Sequence, residues 1–444
     1  MHAILGGLTN FFTALMRKYL PESFVFAIGF TILTFVLGVL LQGTSPLTLT
    51  QSWGKGFWSI LPFTAQMATL LLTGYCLAKA PFIDKGVEYV AQFVKTPRMA
   101  VVIATVIAGV GSYLNWGFGL IVGAMVARKL ALSIKGVHYP LLMASAFSGF
   151  CFYGVGFTGT IPITIATKGH FLESQMGIVP LSETIFSNFI LLMSLFLMVT
   201  LPFLNAMLHP KTGIIELKPD SVPAAAAVIQ TPAHERTIAE KINNSRILNL
   251  IIVLLGFTYI GYYFNGGGKL DINTVNMIML ILGLLFLGSP AKYVSAITEG
   301  SKAIGGIILQ YPFYAGIMAM MAGSGLVGTI AHWFVNISDV HTLPLFGLLS
   351  SYVINFFAPS AGGHWVIQGP FMVEAAKALG ADMGKMAMAV GWGNAWNDMV
   401  QPFWLLPTLA ISGLKLSDVM GFCVVEMLYV GIVLCVSILA WGYM

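Results

Sequence analysis

Charge is what this chain most lacks. Asp, Glu, Lys and Arg make up 9% of its 444 residues, against roughly a quarter in a soluble domain. Hydrophobic residues make up 57%, and the mean hydropathy is +0.85. No charged residue lies between Glu22 and Lys55, or between Arg98 and Arg128, and each gap exceeds the ~20 residues that cross a bilayer. These numbers exclude a soluble fold and identify an all-α polytopic membrane protein. Cysteine is scarce as well: Cys76, Cys151, Cys423 and Cys435 sit in apolar runs, without a CxxC pair or metal-ligand spacing, and read as packing residues. No motif calls for a cofactor. The net charge of +5 is dispersed through loops, which suits positive-inside topology and gives no face for nucleic acid.

What the chain does have is apolar runs that are interrupted. Asn355-Phe-Phe-Ala-Pro-Ser-Ala-Gly-Gly-His-Trp-Val-Ile-Gln-Gly-Pro370 is polar and glycine-rich inside a run long enough for a membrane helix. Pro359 removes a backbone donor and Gly362-Gly363 loosens the chain, so the helix breaks there. Ser112-Tyr113-Leu114-Asn115-Trp-Gly-Phe-Gly119 resembles Ser351-Tyr352 through Asn355 and interrupts a run in the first half. Irregular backbone at membrane depth is tolerated where it lines a cavity, and paired breaks in two halves point to a secondary transporter's site.

Taken in order, the runs predict crossings near 23–42 and 57–78, a re-entrant hairpin over 99–127, a crossing at 139–167 broken between Gly154 and Pro162, and a return at 184–207. The polar segment 208–245 reads as a cytoplasmic linker. Then come crossings at 247–264, 272–288 and 303–322, a hairpin at 343–380, a broken crossing at 386–412 and a last span at 420–441. The expected units are a first inverted repeat over 1–207, opened by a retained interfacial helix at 1–19 rather than a signal peptide, the linker, and a linking helix with the second repeat over 246–444. With a cytoplasmic N-terminus and a periplasmic C-terminus, all of the 22 Lys and Arg except Lys55, Lys168, Lys269, Lys377 and Lys385 fall on the cytoplasmic side.

The start of a half-helix carries partial positive charge and free N–H groups, which suit a carboxylate, while helix C-termini and amide oxygens suit a cation. The expected substrate site is therefore Asn115, Trp116, Gly117 and Gly119 at one tip, with Ser360, Gly362, Gly363, His364 and Gln368 at the other. Glycines and amides also serve plain helix packing. A carboxylate in a membrane segment costs ~3 kcal/mol on insertion scales and marks an ion or proton pathway. Asp398 is thus the coupling candidate, with Asn115, Thr158, Thr160, Asn355, Asn394 and Asn397 nearby in the breaks. Asn115, Thr158, Asn355 and Asp398 offer ligands for Na⁺; Asp398 and His364 suit H⁺ equally. Asp398 has a structural alternative as partner of His364 or Lys385. Glu374 and Glu426 read as interfacial or packed.

The run Pro-Ser-Ala-Gly-Gly-His-Trp-Val-Ile-Gln-Gly-Pro370, with Asn115-Trp-Gly-Phe-Gly119, Gln401-Pro-Phe-Trp404 and Pro312-Phe-Tyr-Ala-Gly316, closely resembles the bacterial short-chain fatty acid transporter family. That resemblance implies an elevator-type carrier of inverted repeats, a homodimer in the inner membrane, that imports butyrate, acetoacetate or a similar monocarboxylate with Na⁺ or H⁺. A cation/proton antiporter, or a carrier of another small carboxylate, is the alternative within transport. A membrane-embedded acyltransferase is the alternative outside it, and would need His364 and Asp398 to pair.

Overall fold

A computed structural model of the chain describes residues 23–217 and 237–444. The expected interfacial helix at 1–19 and the centre of the linker lie outside the described residues. Among those described, all regular structure is helical. The first stretch holds α1 (Ser23–Gln42), α2 (Pro46–Gly56), α3 (Leu61–Ala78), α4 (Pro81–Phe93), a hairpin of α5 (Pro97–Leu114) and α6 (Trp116–Ser133), a broken crossing of α7 (Tyr139–Ser148) and α8 (Thr160–Ile165), and α9 (Asn188–Met207). After α10 (Arg246–Asn265) the same order returns. It runs α11 (Ile272–Leu287), α12 (Pro290–Gly300), α13 (Gly305–Ser324), α14 (Leu326–Ile337), the hairpin of α15 (Leu343–Asn355) and α16 (Ala361–Leu379), the broken pair α17 (Met383–Asp398) and α18 (Pro402–Ser412), and α19 (Leu416–Gly442).

Nine described segments are long and apolar enough to cross a membrane. The crossings, hairpins and breaks read from the sequence fall within a few residues of observed elements. Four helices were not foreseen: α2, α4, α12 and α14 are only 11–13 residues long, too short to register as spans. The starts of α2 and α12 are nonetheless written locally. Ser45 and Ser289 accept the N–H groups of Thr48 and Lys292, and each is followed by proline at the first helical position, where its missing donor costs nothing.

Contacts between helix ends sort those ends onto two sides. On one side, Lys79 pairs with Glu299 at 2.7 Å, Lys129 pairs with Glu88 at 3.1 Å, and the Tyr139 hydroxyl donates to the Ser412 carbonyl at 3.0 Å. On the other, Gln42 donates to Thr329 at 2.6 Å, the Ile272 N–H to Thr167 at 3.0 Å, Lys385 to the Trp441 carbonyl at 3.0 Å, and His341 to the Gly442 carbonyl at 2.9 Å. This sorting matches the order of crossings read from the sequence, with both ends of each hairpin on one side.

Packing follows a matching plan in the two stretches. α1 and α2 lie against α13, as α11 and α12 lie against α3. Each hairpin's second arm packs on the long helix of its own stretch, α6 on α3 and α16 on α13, and on a short helix, α4 or α14. The first hairpin closes along a seam of small residues. A Cβ on Gly119 would fall against Ser112, and one on Gly123 would lie 2.7 Å from the Ala108 Cβ, so the arms approach as only small residues permit. Gly119→Val should therefore lower the thermal midpoint of the purified protein, by overpacking worth about 1–3 kcal/mol. Gly54→Ala, with no atom within 4 Å of its new Cβ, should not lower it; equal losses in the two would contradict the seam.

Candidate functional site

Asn115 alone separates α5 from α6. Its Oδ1 accepts the Phe118 N–H at 2.9 Å and caps α6, and its amide nitrogen reaches the Leu70 carbonyl at 3.5 Å. Gly74 faces this amide, where a Cβ would displace it. The Trp116 N–H donates to Thr158 Oγ1 at 3.1 Å and the Gly119 N–H to the Asn115 carbonyl at 2.8 Å. Most of the first tip's donors are thus satisfied internally, which leaves the N–H of Gly117.

The second tip differs. Ser360 is extended at φ −154° yet makes no capping bond, and its hydroxyl lies 3.0 Å from that of Tyr311. α16 therefore starts without a side-chain cap, its first N–H groups carrying the helix's positive end. Tyr311 and Tyr314 press on Gly362 and Gly363, where any Cβ would meet their rings.

The two tips share a cavity. Trp116 lines it from one side and Ser360, Ala361 and Gly362 from the other, with Met67, Phe150, Tyr153, Thr160, Tyr311 and Trp404 as walls. Its volume is about 20 Å³, room for roughly one water. The Trp116 ring is 5% exposed and its indole N–H has no acceptor. It meets Trp404 edge-on at 5.4 Å. An uncapped helix start and an unpartnered indole donor on one cavity suit a single anionic oxygen pair.

Beside the cavity lies a buried polar cluster. Asp398, fully buried, accepts the Tyr153 hydroxyl at 2.5 Å and the Asn355 amide at 2.7 Å. Asn355 also bonds Asn394 in both directions and reaches Asn397 Oδ1 at 3.2 Å. Gln401 donates to Asn397 at 2.9 Å and to the Asn355 carbonyl at 3.1 Å. The Asn397 amide nitrogen, buried, has no partner. Of the four residues considered for Na⁺, Asn115 and Thr158 thus bond at the first tip, Asn355 and Asp398 at the second break.

Neither structural partner considered for Asp398 reaches it. Lys385 bonds Trp441, and His364 Nε2 lies between Ser351 Oγ, at 3.1 Å, and Gln368 Oε1. Gln368 in turn donates to Ser350 at 2.9 Å, so His364 and Gln368 tie α16 to α15 behind the tip. His364 and Asp398 form no pair of the kind an acyltransferase would need. Glu374 is exposed, whereas Glu426 is buried and accepts from Ser145 at 3.3 Å.

Sequence reasoning passed over Tyr153 and Tyr311. Tyr153 flanks a break, next to Gly154, while Tyr311 precedes Pro312 inside the unbroken α13; a tyrosine beside glycine or proline in an apolar run is the signal that marks them, since its buried hydroxyl needs a partner.

A family model described as short chain fatty acid transporter matches residues 4–440. A protein of Escherichia coli (strain K12), named "Putative short-chain fatty acid transporter", is 40% identical over 437 residues, covering 98% of this chain and 99% of its own. One of the same name from Haemophilus influenzae is 41% identical over 435 residues, covering 96% and 97%. Among solved structures, the YdaH transporter of Alcanivorax borkumensis superimposes with a TM-score of 0.63 at 17% identity, over 95% of this chain and 98% of that one. MtrF of Neisseria gonorrhoeae does so at 0.53 and 13% identity, over 97% of each; these two likenesses are of fold. From the match along nearly its whole length, the chain belongs to the short-chain fatty acid transporter family.

Proposed function

We propose that the protein is an ion-coupled symporter that carries short-chain fatty acids such as butyrate or acetoacetate across a bacterial inner membrane. The acid's carboxylate binds at the uncapped start of α16 and takes a hydrogen bond from the Trp116 indole. The observation that carries this reading is the common cavity: two broken hairpins, unmatched in capping, line it with a helix start that has no side-chain cap and with an indole whose N–H is unpartnered. Met67, Phe150 and Trp404 give the apolar wall that a short acyl chain needs, each buried methylene contributing about 0.8 kcal/mol. No Lys or Arg lines the cavity, which disfavours di- and tricarboxylates.

The recurring element order and matching packing support two repeats inverted about the membrane plane, 1–207 and 246–444, joined by the linker 208–245 with α10 at its end. Under this reading α1–α3 and α11–α13, packed across the halves, form a scaffold. The hairpins and broken crossings form the body that moves, as in an elevator. A cavity of about 20 Å³ is too small for a four-carbon acid, so the tips part before substrate enters. The N-terminus is cytoplasmic and the C-terminus periplasmic, on the charge distribution. α10 exposes Ile251, Leu254 and Leu255 among other apolar side chains, a surface for lipid or for the second copy of a homodimer.

The coupling ion, Na⁺ or H⁺, is read by Asp398. Its carboxylate holds two donors and, among the described residues, no cation, and the adjoining Asn355, Asn394 and Asn397 supply neutral oxygens. Labelled butyrate should accumulate in proteoliposomes under an inward gradient of sodium or of protons, imposed separately; no accumulation under either would overturn the proposal. Cation/proton exchange without butyrate movement would establish the antiporter instead. Asp398→Asn should abolish gradient-driven accumulation yet retain butyrate exchange at equilibrium, and full accumulation by this variant would remove Asp398 from coupling. Trp116→Phe should raise KM roughly tenfold or more, a hydrogen bond to a charged group being worth about 1.5–3 kcal/mol, with an unchanged KM counting against the indole as a ligand.

A further inference from the structure

A second, larger cavity lies directly outside the one between the tips. It measures about 130 Å³ and is lined by Ile60 just before α3, by Phe63 and Gln66 of α3, by Thr164 of α8, and by Thr167 and Lys168 just beyond it. The inner cavity takes Met67 from the same helix α3 and Thr160 from the same helix α8. Each pair of lining positions is one helical turn apart, ~6 Å. Between them stands the Phe63 ring, which stacks on Tyr311 of the inner cavity at 5.8 Å and meets Phe171 of the outer loop at 5.4 Å. Phe63 also stands against the second tip, its ring 3.1 Å from where a Cβ on Gly362 would be.

The outer cavity opens in turn into a basin of about 650 Å³ that shares Lys168 and adds Lys269 from beyond α10. Both lysines are exposed, and among the described residues neither is in an ion pair. The nearby histidine adds no charge of its own. His170 donates Nε2–H to the Gly177 carbonyl at 3.0 Å and accepts the Leu172 N–H at Nδ1. Burial holds it below its ordinary value, against the opposing pull of the Gly177 carbonyl and Glu173. These two lysines are among the five placed on the outer side by the charge distribution, and the basin explains why positive charge is found there.

We infer that this vestibule is the outer loading site for the substrate anion: Lys168 and Lys269 gather a small carboxylate, and Phe63 is the single-ring gate between it and the tips. The inference rests on the proposed transport of a monocarboxylate. Asp271 also lines the basin, its carboxylate accepting the N–H and hydroxyl of Thr274, so the two lysines leave a net positive charge there. Such a field raises the local concentration of an anion, and salt screens it over a Debye length of about 10 Å at 0.1 M. The gate makes access to the tips depend on one aromatic side chain.

Two measurements test it. In a cysteine-free background carrying Ser360→Cys, Phe63→Ala should raise the rate of labelling by a membrane-impermeant thiol reagent, added outside intact cells, at least tenfold. Phe63→Trp, which keeps a barrier, should label as slowly as the parent. Equal rates in all three would overturn the gate. In uptake, Lys168→Gln with Lys269→Gln should raise the KM for butyrate about fivefold at low ionic strength, an effect that shrinks in 0.5 M salt and is reversed by arginine at both positions. A KM unchanged at low salt would overturn the gathering role. Labelling needs no transported acid, so faster labelling in Phe63→Ala without any butyrate uptake would uphold the gated vestibule while sinking the proposed substrate. Labelling only in inverted vesicles would overturn its outward opening.

Discussion

Backbone donors and acceptors that water does not reach govern this structure. A helix interrupted inside a membrane leaves such groups exposed to hydrocarbon unless the protein occupies them. At the first tip the chain occupies most of them itself: Asn115 caps α6, Thr158 takes the Trp116 N–H, and Gly74 leaves room for the amide. At the second, Ser360 turns to Tyr311 and the start of α16 is left uncapped. The two tips correspond in position and differ in satisfaction, and under the proposed function that difference puts the carboxylate at the start of α16, within reach of the Trp116 indole.

Asp398 answers to the same constraint with opposite sign. A buried carboxylate needs donors, and it takes them from Tyr153 on the first broken crossing and Asn355 on the second hairpin. It thereby joins elements about 245 residues apart. A cation bound at this carboxylate would alter bonds that join the two halves, and under the proposed function that would link ion and tips without any long-range relay.

Much of this was legible in the chain. The crossings follow from charge-free runs, and the breaks from Gly, Pro and Asn inside them, because glycine, proline and amide chemistry is local. The first hairpin was legible for a second reason, since basic residues at both ends of 99–127 cannot lie on opposite sides under positive-inside topology. The short helices α2, α4, α12 and α14 were not, because 11 to 13 residues of mixed polarity do not stand out from loop sequence. Nor were the roles of Tyr153, Tyr311 and Phe63: an aromatic in an apolar run looks alike whether it faces lipid or a cavity, and only tertiary packing separates the two. Gly119 was read as part of the binding tip, whereas its backbone sits against Ser112 in the hairpin seam. His364 and Gln368 lie behind the tip, holding α16 to α15.

The central claim is that both tips meet at the point where the carboxylate binds. It is tested most directly by placing cysteines at Trp116 and Ala361 in a cysteine-free background and treating membranes with a short bifunctional thiol reagent. The account predicts rapid crosslinking that butyrate slows and that a neutral alcohol of the same chain length does not. Failure to crosslink, or crosslinking indifferent to butyrate, would contradict it.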